Sequence, residues 1–271
     1  MKSKNIHFLA LFTIVNLFFC QVAVAGLLIS PLRIAFEDRE RADTLVLINS
    51  GSETRTYRLE WEQKKSKATG GYEMLTELEA KTFNTASQMI RFSPKQVTLK
   101  PNERQTVRLS VRRPKGLLDG EYRSHLLFKQ LPIKSKEFSG RGQGIQLNML
   151  MSYSLPIIVR QGKREVDVQI TDVGLGVKSD AMNVELDFKR TGASSSIGNI
   201  SVLWQAQGSD KEMEVARLNN VKFYHELSDN HVSLPWRGYS NMPGVLRVIY
   251  RGIDEYTERT FAEKTVNISG R

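Results

Sequence analysis

The chain has 271 residues, enough for two domains of the usual ~100–150 residues, and its 40% apolar and 25% charged composition is that of a globular protein, which excludes disordered and collagen-like architectures. Lys and Arg number 39 against 29 Asp and Glu, a net charge of +10 that speaks of association and not of fold. The single cysteine excludes an internal disulfide and any metal scheme that needs several thiolates.

Residues 1–25 have the three parts of a cleaved export signal. Lys2 and Lys4 precede a mostly apolar run from Ile6 to Phe19, and Ala23-Val24-Ala25 offers a cleavage site before Gly26. Thr13 and Asn16 interrupt the run, which falls short of the ~20 apolar residues of a membrane span, so no stable membrane insertion is expected. Phe19 stands where a lipid-attachment box before Cys20 would carry a small residue, so the cysteine leaves with the signal. The mature chain then has no cysteine and, with Lys2 and Lys4 gone, a charge of +8.

Downstream, short alternating segments follow one another without a long stretch of helical period. Thr44 to Ile48 runs into the turn Asn49-Ser50-Gly51, and Tyr57, Leu59 and Trp61 share one face of a half-buried strand. Val97-Thr98-Leu99 and Val107 to Val111 flank the turn Pro101-Asn102-Glu103. Tyr122 to Leu131 and the extended run Ile145 to Val159 complete about seven strands, the count of an immunoglobulin-like sandwich. Val166 to Ile170, Asn183 to Phe188, Ile200 to Trp204, Gly244 to Tyr250 and Thr265 to Ile268 predict a second β-sandwich. The expected division is a signal at 1–25, a first domain at 26–156 and a second at 157–271.

Catalytic and metal chemistry find no support. His225 and His231 match no metal-ligand spacing, and there is no nucleophile elbow, catalytic cysteine or phosphate loop. Gly140-Arg141-Gly142-Gln143-Gly144 is followed by an extended apolar segment instead of a helix, so it reads as a loop and not a dinucleotide fingerprint. No cofactor and no enzymatic activity are expected. The basic runs Lys64-Lys65-Ser66-Lys67 and Arg112-Arg113-Pro114-Lys115 are short and lack interleaved aromatics, which argues against a nucleic-acid partner.

In the run after that glycine loop, Ile145, Leu147, Met149 and Met151 alternate with Gln146, Asn148, Leu150 and Ser152. It reads either as a last core strand or as an edge strand available to a partner's sheet, because unpaired edge amides and carbonyls template another chain.

Ser30-Pro31-Leu32-Arg33-Ile34-Ala35-Phe36, Phe92-Ser93-Pro94, the stretch from Leu99 through Pro101-Asn102-Glu103 to Leu109, and Asp119-Gly120-Glu121-Tyr122-Arg123-Ser124-His125-Leu126-Leu127-Phe128 occur in the order seen in the periplasmic pilus-assembly chaperones of the PapD type, which this sequence resembles over residues 26–160. The resemblance implies an all-β protein of two immunoglobulin-like β-sandwich domains arranged as a boomerang, located in the periplasm. It implies binding of pilus subunits with incomplete immunoglobulin-like folds by donation of an edge β-strand, and delivery to an outer-membrane usher. Arg33 falls where the family binds the subunit's C-terminal carboxylate, for which a guanidinium fork is suited. The family's second anchor is a lysine, whereas Met151 or Ser152 stands there in this sequence. Either Arg33 acts with another cleft cation, Arg108 and Arg123 being nearest in family position, or the subunit's end is bound differently. Ile145, Leu147 and Met149 are the expected donor-strand residues. The alternative is an exported structural or adhesive β-sandwich protein of a surface fibre.

Overall fold

The computed structural model describes residues 26–132 and 149–269. The signal segment, the glycine-rich loop and the candidate donor residues Ile145 and Leu147 lie outside the described residues.

The first sandwich comprises β1 (Leu27–Ser30), β2 (Ile34–Phe36), β3 (Ala42–Asn49), β4 (Arg55–Glu62), the small hairpin β5 (Lys64–Ser66) and β6 (Tyr72–Met74), helix α1 (Glu77–Thr82), β7 (Ile90–Ser93), β8 (Gln96–Leu99), β9 (Arg104–Val111), β10 (Gly120–Gln130) and β11 (Ser152–Gln161). One sheet runs β1-β3-β9-β7 and the other β2-β11-β10-β4-β8. In immunoglobulin lettering these are the ABED and GFC sheets, with the first strand divided between them. The alternation places Leu45, Leu47, Val107 and Leu109 from one sheet against Tyr57, Leu59, Leu126 and Phe128 from the other, all buried in one core. Trp61 meets Phe92 edge to face at 5.4 Å. The turn between β8 and β9 places Asn102 at φ 61, a left-handed conformation that asparagine tolerates. Asn49, fully buried, is satisfied there: its amide donates to the carbonyls of Leu99 (2.9 Å) and Glu53 (2.7 Å).

The second sandwich contains β12 (Asp167–Lys178), β13 (Ala181–Thr191), β14 (Ser196–Ala206), β15 (Glu212–Phe223), β16 (Asp229–Pro235), β17 (Gly244–Gly252) and β18 (Thr260–Ile268). Its sheets run β12-β13-β16 and β15-β14-β17-β18. Val184, Leu186 and Phe188 pack against Ile200, Val202, Leu246, Val248 and Tyr250 in a separate core. The protein is thus all-β, with two immunoglobulin-like sandwiches.

The cores show where one sandwich ends. Ile157 and Val159 belong to the first core, and β11 stays paired with β10 as far as Gln161 opposite Gly120. The second core starts at Val166. A division at 156/157 therefore cuts through β11, and the change of core lies between Gln161 and Val166. Pro156 does not end the strand. It lies opposite His125 of β10, while on the other side β11 first meets β2 at Ile157, so its missing N–H falls where no neighbour needs it.

Candidate functional site

Two features of the first sandwich stand out: the edge of β11, covered only in part among the described residues, and the seam where the two domains meet.

β11 is hydrogen-bonded to β10 along its whole length, but its other edge is covered only where β2 runs parallel to Ile157, Ile158 and Val159. From Ser152 to Pro156 no strand pairs with that edge among the described residues. The odd-numbered side chains Leu155, Ile157 and Val159 point into the core, with Tyr153 packed on its margin. The same parity continues to Met151 and Met149, which are 51% and 72% exposed. The regular strand begins only at Ser152, so Met149, expected within a strand, precedes it. The physical reason is that the last backbone pair is Ser152 with Lys129. Beyond it the Met151 N–H donates to the Gln130 side chain at 3.3 Å. The apolar alternation thus outruns the sandwich that would bury it.

The seam is built from arginines of the first domain and carboxylates drawn largely from the second. Arg33 sits just before β2, its side chain 10% exposed, and its guanidinium fork faces both oxygens of Glu255 with Asp254 at 3.5 Å. Arg160, near the end of β11, donates to Glu121 (2.9 Å), Glu37 (2.8 Å) and Glu255 (2.7 Å). Glu121 is fully buried and also accepts from the backbone N–H (3.1 Å) and hydroxyl of Ser195 in the second domain. Burial pushes the Glu121 carboxyl up, but His225 at 3.6 Å, the Arg160 charge and Ser195 more than offset this and hold it well below the usual range. Glu255 is likewise lowered: burial opposes its ionisation, and Arg33 and Arg160 overcome that.

Arg123 is fully buried. It donates to the Glu226 carboxylate and to the Lys64 carbonyl at 3.2 Å, and its guanidinium lies 3.6 Å from the Tyr224 ring centre. Tyr72 on β6 and Tyr224 share a hydroxyl contact of 2.9 Å, and the Ala68 carbonyl accepts from the His231 N–H at 3.1 Å, so the β5–β6 hairpin also touches the second domain.

The expected cations therefore separate. Arg33 and Arg123 both reach the seam, yet Arg123 is enclosed and committed to Glu226. Arg108 projects from the outward face of β9, in the opposite sheet, and is not brought to Arg33. Met151 and Ser152, the two positions weighed from the resemblance for a second anchor, are both exposed. Sequence reasoning did not find Glu255, Glu226 or Lys222, which complete the seam from the second domain and share no local pattern with Arg33.

The fold and seam define a class: a two-domain all-β protein in which an arginine and a strand edge left partly unpaired among the described residues lie on the same sandwich. Similar solved structures include the YadV chaperone (11% identity, 90% of this chain and 100% of that chain, TM-score 0.49). They also include the CsuC–CsuE chaperone–tip adhesion subunit complex of Acinetobacter baumannii (16% identity, 90% and 99%, TM-score 0.42) and the Salmonella enterica SafA pilin in complex with the SafB chaperone (12% identity, 92% and 98%, TM-score 0.44). No family model and no curated protein matches the chain. At these identities no residue role transfers.

Proposed function

We propose that this protein is a periplasmic chaperone for pilus subunits, which lends the segment leading into β11 to an incomplete immunoglobulin-like fold and passes the subunit to an outer-membrane usher. The observation that carries the reading is the apolar alternation from Ile145 to Met151 in the sequence, upstream of an edge that no strand pairs from Ser152 to Pro156 among the described residues. An unpaired edge supplies backbone donors and acceptors, and alternate apolar side chains supply the pocket-filling groups of β-strand complementation. Exposed Met149 and Met151 gain on being covered, since burial of an apolar side chain is worth about 1.5–3 kcal/mol. Arg33, just before the adjoining β2, offers a fork for the subunit's terminal carboxylate. The role is one of binding, with no cofactor and no chemical step.

Leu147→Asp tests the reading. The variant is expected to unfold at the same denaturant concentration as the wild type and to lose recovery of soluble one-to-one complexes with pilus subunits. Loss of folding would return Leu147 to the core of its own sandwich, and recovery of the protein within shed fibres would favour a structural role.

A further inference from the structure

Lys222 lies on β15 of the second domain, opposite Ile197, and shares with Arg33, Arg160, Ser195 and Tyr224 the lining of a cavity of about 10 Å³. That space holds a water molecule at most. The other seam cations have partners: Arg33, Arg123 and Arg160 as described, Arg164 with the Glu255 carbonyl at 3.0 Å, and Lys64 with Glu62 at 2.5 Å and Ser154 at 3.1 Å. Among the described residues, no hydrogen bond or ion pair reaches the Lys222 ammonium. Burial pushes its pKa down, the neighbouring Arg33 charge pushes it further, and Asp254 only partly opposes them.

A half-buried ammonium beside a guanidinium is costly in two ways, through lost hydration and through like-charge repulsion, and one anion placed between them relieves both. We infer that Lys222 is the second cationic contact for a carboxylate held at Arg33, so that a ligand's chain end is gripped by both domains at once. The inference rests on the reading that Arg33 binds a carboxylate. The stereochemistry suits it: a carboxylate has about four lone-pair sites, of which a guanidinium fork takes one edge and leaves others for an ammonium approaching as a point charge. Glu255 must leave the fork first, and it keeps Arg160 at 2.7 Å, so its charge is not stranded.

The test uses the mature chain and one probe in two forms: an N-acetylated hexapeptide of alternating valine and threonine ending in a free carboxylate, and the same peptide as its C-terminal amide. Wild type is expected to prefer the free carboxylate by about a hundredfold. Lys222→Met should reduce that preference to about tenfold, Lys222→Arg should retain it, and Arg33→Ala should abolish it. The thermal midpoint of Lys222→Met should equal or exceed that of wild type, because an unpaired cation is removed. Full preference in Lys222→Met, with none in Arg33→Ala, overturns the assignment of Lys222 and leaves that of Arg33. Equal affinity of wild type for the two peptides, or binding of neither, overturns the Arg33 reading and this inference with it.

Discussion

The guanidinium of Arg33 and the carboxylate of Glu255 meet fork to fork across the domain seam, 222 residues apart in the sequence. The side chain proposed to receive a partner's carboxylate therefore already holds one. A ligand must displace Glu255, and the free energy of that internal pair is subtracted from its affinity. Glu255→Gln keeps the shape and removes the competing charge. It is expected to tighten binding of the free-carboxylate hexapeptide by about tenfold while leaving the amide form unchanged. Titration of both peptides by calorimetry checks this, and unchanged affinity would mean that Glu255 does not compete.

Arg160 joins three carboxylates, two from its own domain and Glu255 from the other, and one of the three, Glu121, has no exposure at all. Removing the arginine leaves Glu121 buried with its Ser195 contacts but without its main counter-charge. Losing one partner of a buried pair costs about 3–5 kcal/mol. Arg160→Met should therefore weaken the seam more than either core, and scanning calorimetry should show one unfolding transition separating into two. A single, merely lowered transition would mean that the cores and not the seam depend on Arg160.

Where side chains alternate about a single buried face, the sequence was legible: β3, β4 and β9 fall where the apolar period places them. β15 was not, because adjacent Val215 and Ala216 are both buried and the pairing with β14 shifts register twice, which erases a period of two. Helix α1 is only six residues long, too short for a helical period, and it was not read from the sequence; in the structure a capping box joins Thr76 and Glu79. The Glu79 carboxyl is held down to about 2 by hydrogen bonds from Lys65 and Thr76. Arg33 was found through a local motif, whereas Glu255 and Lys222 become its neighbours only when two domains dock. Nothing in a linear pattern encodes a contact between elements that share no hydrogen-bonded edge.

Gly198 lies on β14 between β15 and β17, beside one of the register shifts. A Cβ there would stand 2.3 Å from the Arg251 carbonyl oxygen and 2.7 Å from the Tyr250 ring, and the first of these is backbone that cannot turn aside. Gly198→Ala is expected to destabilise the second domain by at least about 1–3 kcal/mol, the usual range for overpacking. Urea unfolding followed by the fluorescence of Trp204 and Trp236, both buried in that core, reads the change.

His125 is fully buried on β10, edge to face with Tyr72 at 4.9 Å, and neither ring nitrogen has a hydrogen-bond partner among the described residues. Burial lowers its pKa to about 3, helped by the nearby charges of Arg123, Lys64 and Lys222. An unfolded chain takes up that proton near pH ~6.5, so between about 6.5 and 3 the unfolded state binds one proton that the folded state refuses. Stability must then fall on acidification through that window, by up to ~1.4 kcal/mol per pH unit from this residue. His231 acts in the opposite sense. Hydrogen bonds to Asp187 and Glu185 raise its pKa, so its contribution is complete below the unfolded value and fades as pH rises through the folded one. The two are separated by substitution at His125 alone. Between pH 7 and pH 5, His125→Phe should lose about 2 kcal/mol less stability than wild type in urea titrations, and parallel curves for the two proteins would show that the buried imidazole takes up its proton without cost.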